Sequence, residues 1–270
     1  MDRYAVIGYP ARHSLSPRIH AAFAQAAGIE LAYEAIDVAP AVFAERVKRL
    51  HDEGFLGLNV TLPHKQAAVA LAEALSDRAR QAGAVNTLIR TVEGWRADNT
   101  DGAGLLRDLQ DNLRVSPAHK RTVILGAGGA ARGILGPLLA AGPARTVVSN
   151  RSLKSPALLA GDFAELGTVE PLTHPELEGS QFDLVINATS AGHQGQAPEV
   201  PGSIFAPGAL AYDLNYGPAA RPFLGWAVRA GAALACDGLG MLVEQAAESF
   251  FLWRGQRPET AALRRALRAH

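Results

Sequence analysis

The sequence predicts an α/β protein with two open, mostly parallel sheets, and two patterns in its 270 residues carry that prediction. Short apolar or β-branched runs alternate with amphipathic helical runs, which is typical of parallel sheets covered by helices. A glycine-rich turn at 126–131 also follows a buried strand and opens a helical run, as in a βαβ unit. A chain of this length is comfortable as two domains, each large enough to bury a core.

The first hundred residues supply the elements of the first sheet. In chain order we predict a strand over 4–8, a helix over 17–27, a strand over 31–38, a helix over 42–52, a strand over 55–61, a helix over 66–75 and a strand over 84–90. The run over 102–113 is amphipathic, with leucines on one side, and predicts a helical connector into the second sheet.

The second sheet has its own alternation. Its predicted strands cover 122–125, 145–149, 182–188, 209–214 and 232–236. The tail from Met241 is helical with an apolar stripe, and we expect it to pack back on the first domain. The first domain would then be discontinuous, comprising 1–102 and 239–270, with the second domain at 103–238 between its parts.

The glycine-rich turn points to a dinucleotide. Gly126, Gly128 and Ala131 fit the G-x-G-x-x-G/A fingerprint, in which a pyrophosphate lies on the N-terminus of the following helix. An acidic residue usually ends the second strand when the ligand is NAD, whereas this chain has Asn150 and Arg151 there. The pattern therefore predicts NADP. The competing interpretations are a glycine cluster that only makes a turn and an arginine that is only a solvated surface charge.

Charge and composition exclude several classes of partner. Lysine plus arginine number 26, as do aspartate plus glutamate, and no long basic run occurs, which argues against nucleic acid or an acidic membrane surface. The single cysteine, Cys236, excludes an internal disulfide and a cysteine-rich zinc site, so we expect no metal and a cytoplasmic location. No stretch has the length of a membrane span or a signal peptide. Monomer and homodimer both stay open.

Polar side chains gather where the strands of the first sheet end. They are Ser14, Ser16, Thr61, Lys65, Asn86 and Asp101. Ligands bind outside the carboxyl ends of the strands in such folds, so we expect these side chains on one rim, facing a cleft between the two sheets.

Lys65 and Asp101 are the candidates for acid/base chemistry. Oxidation of an alcohol removes a hydride from carbon and a proton from oxygen, and a desolvated lysine beside a carboxylate can take that proton. Taken singly, each has a plainer interpretation, because Lys65 could be a solvated cation and Asp101 a helix N-cap. Ser14 and Ser16 would present two hydroxyls to a carboxylate if the segment is extended. Alternatively, Ser16 is the N-cap of a helix that starts at Pro17, a role that Ser14 does not have.

A set of motifs in fixed order carries a family resemblance. They are S-L-S-P (14–17), N-V-T-L-P-H-K (59–65), G-A-V-N-T (83–87), N-T-D-G (99–102), G-A-G-G-A-A-R (126–132), N-R-S (150–152), N-A-T-S-A-G (187–192), D-L-N-Y-G-P (213–218) and G-x-G-M-L-V-x-Q-A (238–246). Each motif alone is weak, but together, in this order and spacing, they are highly specific. The chain resembles the shikimate dehydrogenases over essentially its whole length.

The resemblance implies an oxidoreductase that interconverts 3-dehydroshikimate and shikimate with NADP, in the aromatic amino acid (chorismate) pathway. It implies Lys65 as the acid/base residue, paired with Asp101, which also binds a ring hydroxyl. The implied substrate-binding residues are Ser14, Ser16, Thr61, Asn86, Asp101, Tyr216 and Gln245. The implied cofactor-binding residues are Asp77, Gly126, Ala127, Gly128, Gly129, Ala130, Asn150, Arg151, Ser152, Leu214 and Gly238. Without the resemblance, Tyr216 and Gln245 look like a turn tyrosine and a helix-surface glutamine.

Two other functions compete. A quinate or dual quinate/shikimate dehydrogenase would be expected to carry an acidic residue in place of Arg151 or a bulkier hydroxyl near Ser14 and Ser16, and this sequence has neither. A non-catalytic NADP-binding sensor would not need the Lys65 and Asp101 pair. His13, His20 and His64 flank the site, and we interpret each as a structural histidine with satisfied hydrogen bonds.

Overall fold

Two separate six-stranded sheets organise the chain, each within its own structural unit. The computed structural model describes residues 1–269. Unit 1 contains Met1–Leu105 together with the residues from Leu242 onward, and unit 2 contains Leu106–Met241. The predicted α/β class with two open sheets is confirmed by the strand topology.

The sheet of unit 1 is mixed and has the strand order β2-β1-β3-β5-β6-β4. Its strands are β1 (Asp2–Gly8), β2 (Leu31–Asp37), β3 (Gly57–Val60), β4 (Ala74–Leu75), β5 (Thr87–Arg90) and β6 (Trp95–Asp98). Strand β1 pairs in parallel with β2 and β3, whereas β5 runs antiparallel to both β3 and β6. The start of β5 therefore lies at the same edge as the end of β3.

The predicted helix over 66–75 is wrong. The chain forms a 3-10 helix at Ala67–Leu71 and then the short strand β4, which pairs with β6. The apolar run Ala67–Leu71 suits a helix by local pattern, but the edge of the sheet offers hydrogen-bond partners to Ala74 and Leu75 that no local pattern reports. Strand β6 itself was absent from the sequence prediction.

The helices of unit 1 pack on this sheet and on one another. They are α1 (Ser16–Ala27), α2 (Phe43–Asp52), α3 (Asp77–Ala82), α4 (Asp101–Arg107), α8 (Leu239–Arg254) and α9 (Ala261–Arg268), of which α4 and α8 continue into unit 2. Ile19 and Phe23 of α1 form a buried core with Val243 and Phe250 of α8, and Leu263 of α9 packs against it. The apolar stripe of the tail thus faces α1, which holds α8 against this sheet.

The sheet of unit 2 is entirely parallel, with the order β12-β11-β10-β7-β8-β9. Its strands are β7 (Arg121–Leu125), β8 (Arg145–Asn150), β9 (Glu170–Thr173), β10 (Phe182–Asn187), β11 (Phe205–Asp213) and β12 (Leu234–Cys236). Its helices are α5 (Gly129–Ala140), α6 (Lys154–Asp162) and α7 (Arg221–Arg229). Nearly continuous burial along β7 and β10 is what a sheet covered on both faces requires.

The predicted helix over 102–113 is regular only in its first part. After α4 the backbone widens into a π-helical turn at Asp108–Asn112. The buried Asp108 carboxylate accepts hydrogen bonds there from the Tyr212 hydroxyl, at 2.7 Å, and from the Asn112 amide, at 2.8 Å. Asp108 thus joins this turn to β11 through Tyr212. Within residues 1–269, no helix is both long and apolar enough to cross a bilayer.

Candidate active site

Lys65 and Asp101 form a close ion pair in unit 1. The Lys65 Nζ donates to Asp101 Oδ2 at 2.5 Å, and the exposed fractions of the two side chains are 15% and 5%. Charges this well shielded from water are stable only when they are paired, because an unpaired buried charge costs several kcal/mol, on the order of 3–5. The pair is therefore more than a surface salt bridge, and one of its members still reaches solvent.

Asn86 and Gln245 extend the pair into a polar network. The Asn86 amide donates to Asp101 Oδ1 at 2.9 Å and to Gln245 Oε1 at 3.2 Å. Gln245 in turn donates to the Leu242 carbonyl at 2.8 Å. Gln245 is buried, so its interpretation as a helix-surface glutamine is wrong. Four of the residues implied by the family resemblance thus form a continuous series of hydrogen bonds, from Lys65 through Asp101 and Asn86 to Gln245.

The local structure explains how Asn86 and Asp101 come together. Asn86 does not follow a strand, as we expected, but directly precedes β5. Because β5 is antiparallel to β3, the beginning of β5 lies at the edge where β3 ends and Thr61 and Lys65 follow. Thr61, Lys65, Asn86 and Asp101 therefore meet at one edge of the sheet, although Asn86 arrives from the amino end of a strand.

Asp101 is not the N-cap of α4. The carbonyl of Thr100 accepts the first helical hydrogen bond, from the Gly104 N–H, so Thr100 occupies the cap position and Asp101 is the first helical residue. The Asn99 Oδ1 accepts from the Asp101 N–H at 3.1 Å, and the Asn86 Oδ1 accepts from the Thr100 N–H at 2.8 Å. The Asp101 carboxylate is consequently left for Lys65 and Asn86.

A second layer of hydroxyls and amides lies behind these residues and was missed in the sequence. The Ser249 hydroxyl lies 2.8 Å from the Thr87 hydroxyl and 3.2 Å from that of Thr100. The Asn59 amide donates to Ser249 Oγ at 3.0 Å, and the Tyr33 hydroxyl donates to Asn59 Oδ1 at 2.7 Å. Ser249 lies one helical turn after Gln245 on α8, and this i, i+4 spacing of polar residues in an apolar helix is the signal that could have revealed it.

Ser14 and Ser16 lie together, but in a turn. The two Oγ atoms are 3.0 Å apart, while Leu15 between them has helical backbone angles, so the segment is not extended. Ser16 is the first residue of α1 and makes no N-cap hydrogen bond, so that interpretation is wrong. Ser14 does have a structural contact, since its Oγ accepts from the Ser16 N–H at 3.2 Å.

Thr61 is placed by the end of β3, where its N–H donates to the Ile7 carbonyl at 2.9 Å. A Cβ on Gly8 would lie 2.5 Å from Thr61 Cγ2, so the two chain segments approach closely. Thr61 thereby lies between strand β1, which leads to Ser14, and the loop that carries Lys65.

The three flanking histidines differ from one another. The His64 Nε2 lies 2.6 Å from the Val38 carbonyl, as expected for a structural histidine, and His13 is exposed. His20 is fully buried and stacks on Tyr33 with the ring centroids 4.3 Å apart. Within the described residues neither of its ring nitrogens makes a hydrogen bond of normal geometry, so the prediction that its hydrogen bonds are satisfied is wrong. Burial lowers the pKa of His20 to about 3, and the nearby Asn59 amide opposes this only in part.

Unit 2 carries the glycine-rich turn between β7 and α5. Gly126 has φ +102°, and a Cβ there would meet the Ala188 carbonyl at 3.0 Å, so both the turn and the close approach require glycine. A Cβ on Gly128 would meet no atom within 4 Å, so the backbone there is open to a ligand. Helix α5 begins at Gly129 with no acidic residue in its first turn. Ala127 completes the turn and Ala130 lies in the first turn of the helix, and this environment fits a pyrophosphate.

The three residues at the end of β8 are arranged differently from the site in unit 1. Asn150 ends the strand, and Arg151 and Ser152 follow it with exposed side chains. Behind them, the His174 N–H donates to the Asn150 carbonyl at 3.0 Å, and its Nδ1 lies 2.9 Å from Ser149 Oγ. Burial, and then the charge of Arg151, lower the pKa of His174, and the charge of Glu199 opposes this.

The loops after β10 and β11 meet at a buried carboxylate. Asp213 accepts from the Asn187 amide at 3.1 Å and from the Asn215 amide at 2.8 Å. Burial raises the pKa of Asp213 to about 6, and these hydrogen bonds oppose that shift. Asp213 thus fixes the segment that carries Leu214 and Tyr216. A Cβ on Gly238 would lie 2.4 Å from the Leu214 carbonyl, so these two cofactor candidates are in direct contact.

The remaining cofactor candidate, Asp77, lies in unit 1 at the start of α3. Its side chain is exposed and pairs with Arg80 at 2.7 Å. Nothing in these contacts connects Asp77 with the glycine-rich turn, and its role stays a prediction.

The two units define a class of protein. Unit 1 contains a lysine paired with an aspartate in a polar network, and unit 2 is a parallel sheet with a dinucleotide-type loop. Together these features are typical of an α/β dehydrogenase. Family models sharpen this class. A model of the shikimate dehydrogenase substrate binding domain matches residues 6–88, and one of the shikimate 5'-dehydrogenase C-terminal domain matches residues 238–268.

Individual relatives agree over nearly the whole chain. A shikimate dehydrogenase (NADP(+)) from Methylococcus capsulatus is 51% identical over 96% of this chain and 93% of its own length. One from Thioalkalivibrio sulfidiphilus is 51% identical over 99% of this chain and 98% of its own. The crystal structure of a shikimate 5-dehydrogenase from Thermus thermophilus, in complex with NADP(H) and shikimate, matches with TM-score 0.85 and 34% identity, covering 100% of this chain and 99% of that one. This chain belongs to the shikimate dehydrogenase family.

Proposed function

We propose that this protein is an NADP-dependent shikimate dehydrogenase, which reversibly reduces 3-dehydroshikimate to shikimate in the route to chorismate and the aromatic amino acids. The observation that carries the proposal is the Lys65–Asp101 pair with Asn86 and Gln245 bonded to it, in a chain about half identical to shikimate dehydrogenases.

Lys65 is positioned to move the proton of the reacting oxygen. Its Nζ is held by Asp101 Oδ2 at 2.5 Å and retains access to solvent. In the direction of reduction, the Nζ donates a proton to the oxygen of the ketone, and in the direction of oxidation it takes that proton back. Asp101 fixes the direction in which the ammonium points, and its buried carboxylate stabilises the positive charge.

The other side chains hold the ring of the substrate. The Ser14 and Ser16 hydroxyls form a pair of donors for its carboxylate, with Thr61 close to the same strand end. Asn86 and Gln245 bind ring hydroxyls. Because their amides are already fixed by Asp101, Thr100 and the Leu242 carbonyl, they lose little freedom on binding. Tyr216, which follows β11 in unit 2, is a further substrate-binding residue in this proposal.

The residues of unit 2 fit NADP. The open backbone at Gly128 and the N-terminus of α5 would hold the pyrophosphate, with Gly126 and Ala127 in the turn and Gly129 and Ala130 at the start of the helix. Asn150, Arg151 and Ser152 would hold the 2′-phosphate. We place Leu214, Gly238 and Asp77 near the cofactor on the strength of the family resemblance. When bound, NADP supplies or accepts the hydride.

A four-way turnover assay tests the function. Shikimate and quinate are each offered with NADP and with NAD, and the formation of reduced cofactor is followed by absorbance. We expect the highest kcat/KM for shikimate with NADP. A preference for quinate would establish the alternative dehydrogenase, and binding of NADP without turnover of either substrate would establish the sensor.

We also propose that the protein acts in the cytoplasm on small molecules only. Its zero net charge and single cysteine support this. Fractionation of cells that express the protein at native level tests the location, and recovery in the membrane pellet would contradict it.

A further inference from the structure

Two of the three chain segments whose residues surround Lys65 are joined by one arginine. The loop between β6 and α4 carries Thr100 and Asp101, while helix α8 carries Gln245. Arg78, on α3, contacts both segments. Its Nε and Nη2 donate to Asp98 Oδ1 and Oδ2 at 3.0 and 2.9 Å, and its Nη1 donates to Glu248 Oε1 at 3.0 Å.

The contacts of Asp98 connect Arg78 to the loop. Besides the two bonds from Arg78, Asp98 Oδ1 accepts from the Ser76 hydroxyl and the Asn99 N–H, both at 2.7 Å. Burial disfavours the charged form of Asp98, but the hydrogen bonds from Arg78 and Ser76 outweigh it and hold the pKa of this carboxyl below its ordinary value. Asp98 is therefore an ionised anchor immediately before Asn99 and Thr100.

Helix α8 uses two neighbouring rows of side chains. Gln245 and Ser249, four residues apart, contact Asn86, Thr87 and Thr100. Glu244 and Glu248, also four residues apart, contact arginines. Arg257 donates to Glu248 Oε2 and Glu244 Oε2, each at 2.8 Å, and Arg78 reaches the other oxygen of Glu248. The acidic row thus fixes the rotation of the helix that presents Gln245 to the network.

We propose that Arg78 is a positioning residue, which clamps the β6–α4 loop to helix α8 and so sets the distances between Asp101, Asn86 and Gln245. This rests on the proposed function, in which those residues hold the substrate. The distances at stake are short: Gln245 Oε1 lies 3.2 Å from the Asn86 amide and 3.3 Å from the Thr100 hydroxyl. Only a planar guanidinium can bind one carboxylate through two nitrogens and a second through a third.

The test compares Arg78→Gln with a matched control. Arg121 makes the same two-nitrogen contact with Asp183, but at the beginning of β7 in unit 2. Displacements of catalytic groups by about 1 Å cost up to about a hundredfold in rate, so Arg78→Gln should lower kcat/KM for shikimate about ten- to a hundredfold. Most of the loss should appear as a higher KM for shikimate, with the KM for NADP unchanged. Arg121→Gln should leave both KM values unchanged.

This split distinguishes positioning from general stabilisation. A variant that is only less stable has fewer folded molecules, which lowers the apparent kcat and leaves both KM values as they are. If Arg78→Gln shows that pattern, or matches Arg121→Gln, the clamp is overturned. Arg78→Lys keeps the charge but cannot make three contacts, and we expect an intermediate KM. Full activity in Arg78→Lys would also overturn the proposal.

Two further measurements test the clamp even if Arg78→Gln does not give a folded, active enzyme. Glu248→Gln weakens the contacts that Glu248 accepts from Arg78 and Arg257 and keeps the Arg78–Asp98 contact, so it tests the helix side of the clamp if Arg78→Gln does not fold. We expect a smaller rise in the shikimate KM from it, and no rise would contradict the clamp. Amide hydrogen exchange at Asn99 and Thr100 should be faster in Glu248→Gln than in wild type. An inactive wild type would refute the proposed function, while unchanged exchange would refute the clamp.

Discussion

The surroundings of Lys65 in unit 1 and the end of β8 in unit 2 differ in the burial and the hydrogen bonding of their polar side chains. Around Lys65, the polar side chains are mostly buried and bonded to one another. At the end of β8, the side chains of Arg151 and Ser152 are exposed. The first arrangement is preorganised, so little reorganisation is needed during the reaction. The second leaves the ordering of an exposed arginine side chain to the moment of binding.

The difference teaches which substitutions separate binding from folding. In the buried network, each side chain serves as a partner of another, so a change there affects stability and activity together. At the exposed end of β8, a change should affect the ligand alone.

Replacement of Lys65 should have the largest effect. General acid–base catalysis contributes about 10²–10⁴-fold, and Lys65→Ala should lower kcat by that order while the KM for shikimate moves far less. Asp101→Asn should lower kcat less and also raise the KM for shikimate, because Asp101 both orients the lysine and binds a hydroxyl. Steady-state kinetics measure both. A Lys65→Ala enzyme with near-normal kcat would remove Lys65 from the mechanism.

Arg151→Ala should come next and should show the opposite profile. Hydrogen bonds to charged groups are worth about 1.5–3 kcal/mol each, so the KM for NADP should rise roughly ten- to a hundredfold. Kinetics with NAD and the melting temperature should hardly change, because the side chain is exposed. Equal losses with both cofactors would show that Arg151 is structural and would break the contrast between the two regions.

The buried histidine of unit 1 should make its stability sensitive to acid. Burial lowers the pKa of His20 from an ordinary 6.5 to about 3 in the folded protein. The unfolded chain therefore takes up a proton first, so the stabilising contribution of the neutral ring is complete above pH 6.5 and is lost as the pH falls toward 3. The loss should be about 1.4 kcal/mol per pH unit in the free energy of unfolding.

Urea unfolding of His20→Phe between pH 7 and pH 5 checks this. The variant keeps an aromatic ring against Tyr33, but that ring has no nitrogen that can be protonated. As the pH is lowered, its free energy of unfolding should therefore decrease less steeply than that of wild type. The exposed His193 of unit 2 supplies the control, since His193→Gln should keep the wild-type slope. Identical slopes in all three proteins would show that His20 does not carry the acid sensitivity.

Ser14→Ala should have the smallest effect. The loss of one hydrogen bond to a carboxylate is worth about 1–2 kcal/mol, which corresponds to roughly a five- to thirtyfold rise in the KM for shikimate. The KM for NADP should stay constant. A slight fall in melting temperature is expected too, because the Ser16 N–H loses its acceptor. A fall in melting temperature with an unchanged shikimate KM would leave the serine with a structural role only.

Much of unit 2 could be predicted because its signals are local. A β-branched run, glycines at fixed spacing and a small residue at the third position describe β7, the turn and the start of α5 without reference to the rest of the chain. Lys65 and Asp101 were also recognisable, through their motifs and the family resemblance. His20 was recognisable as a residue near the site, but not as a buried ring that makes no hydrogen bond of normal geometry, since that depends on the packing of Tyr33 and Trp253 around it.

The sequence by itself determined the α/β class, the alternation of strands and helices, the dinucleotide-type turn and the return of an apolar helix at the carboxyl end. Only the tertiary structure decided the antiparallel direction of β5, which places Asn86 beside Asp101, and the burial of Gln245 against a residue 159 positions earlier. It also decided that 74–75 joins the sheet and that Arg78 contacts α8. The physical reason is that period and propensity report the backbone a segment prefers, whereas hydrogen bonds between distant segments depend on which surfaces the folded core brings into contact.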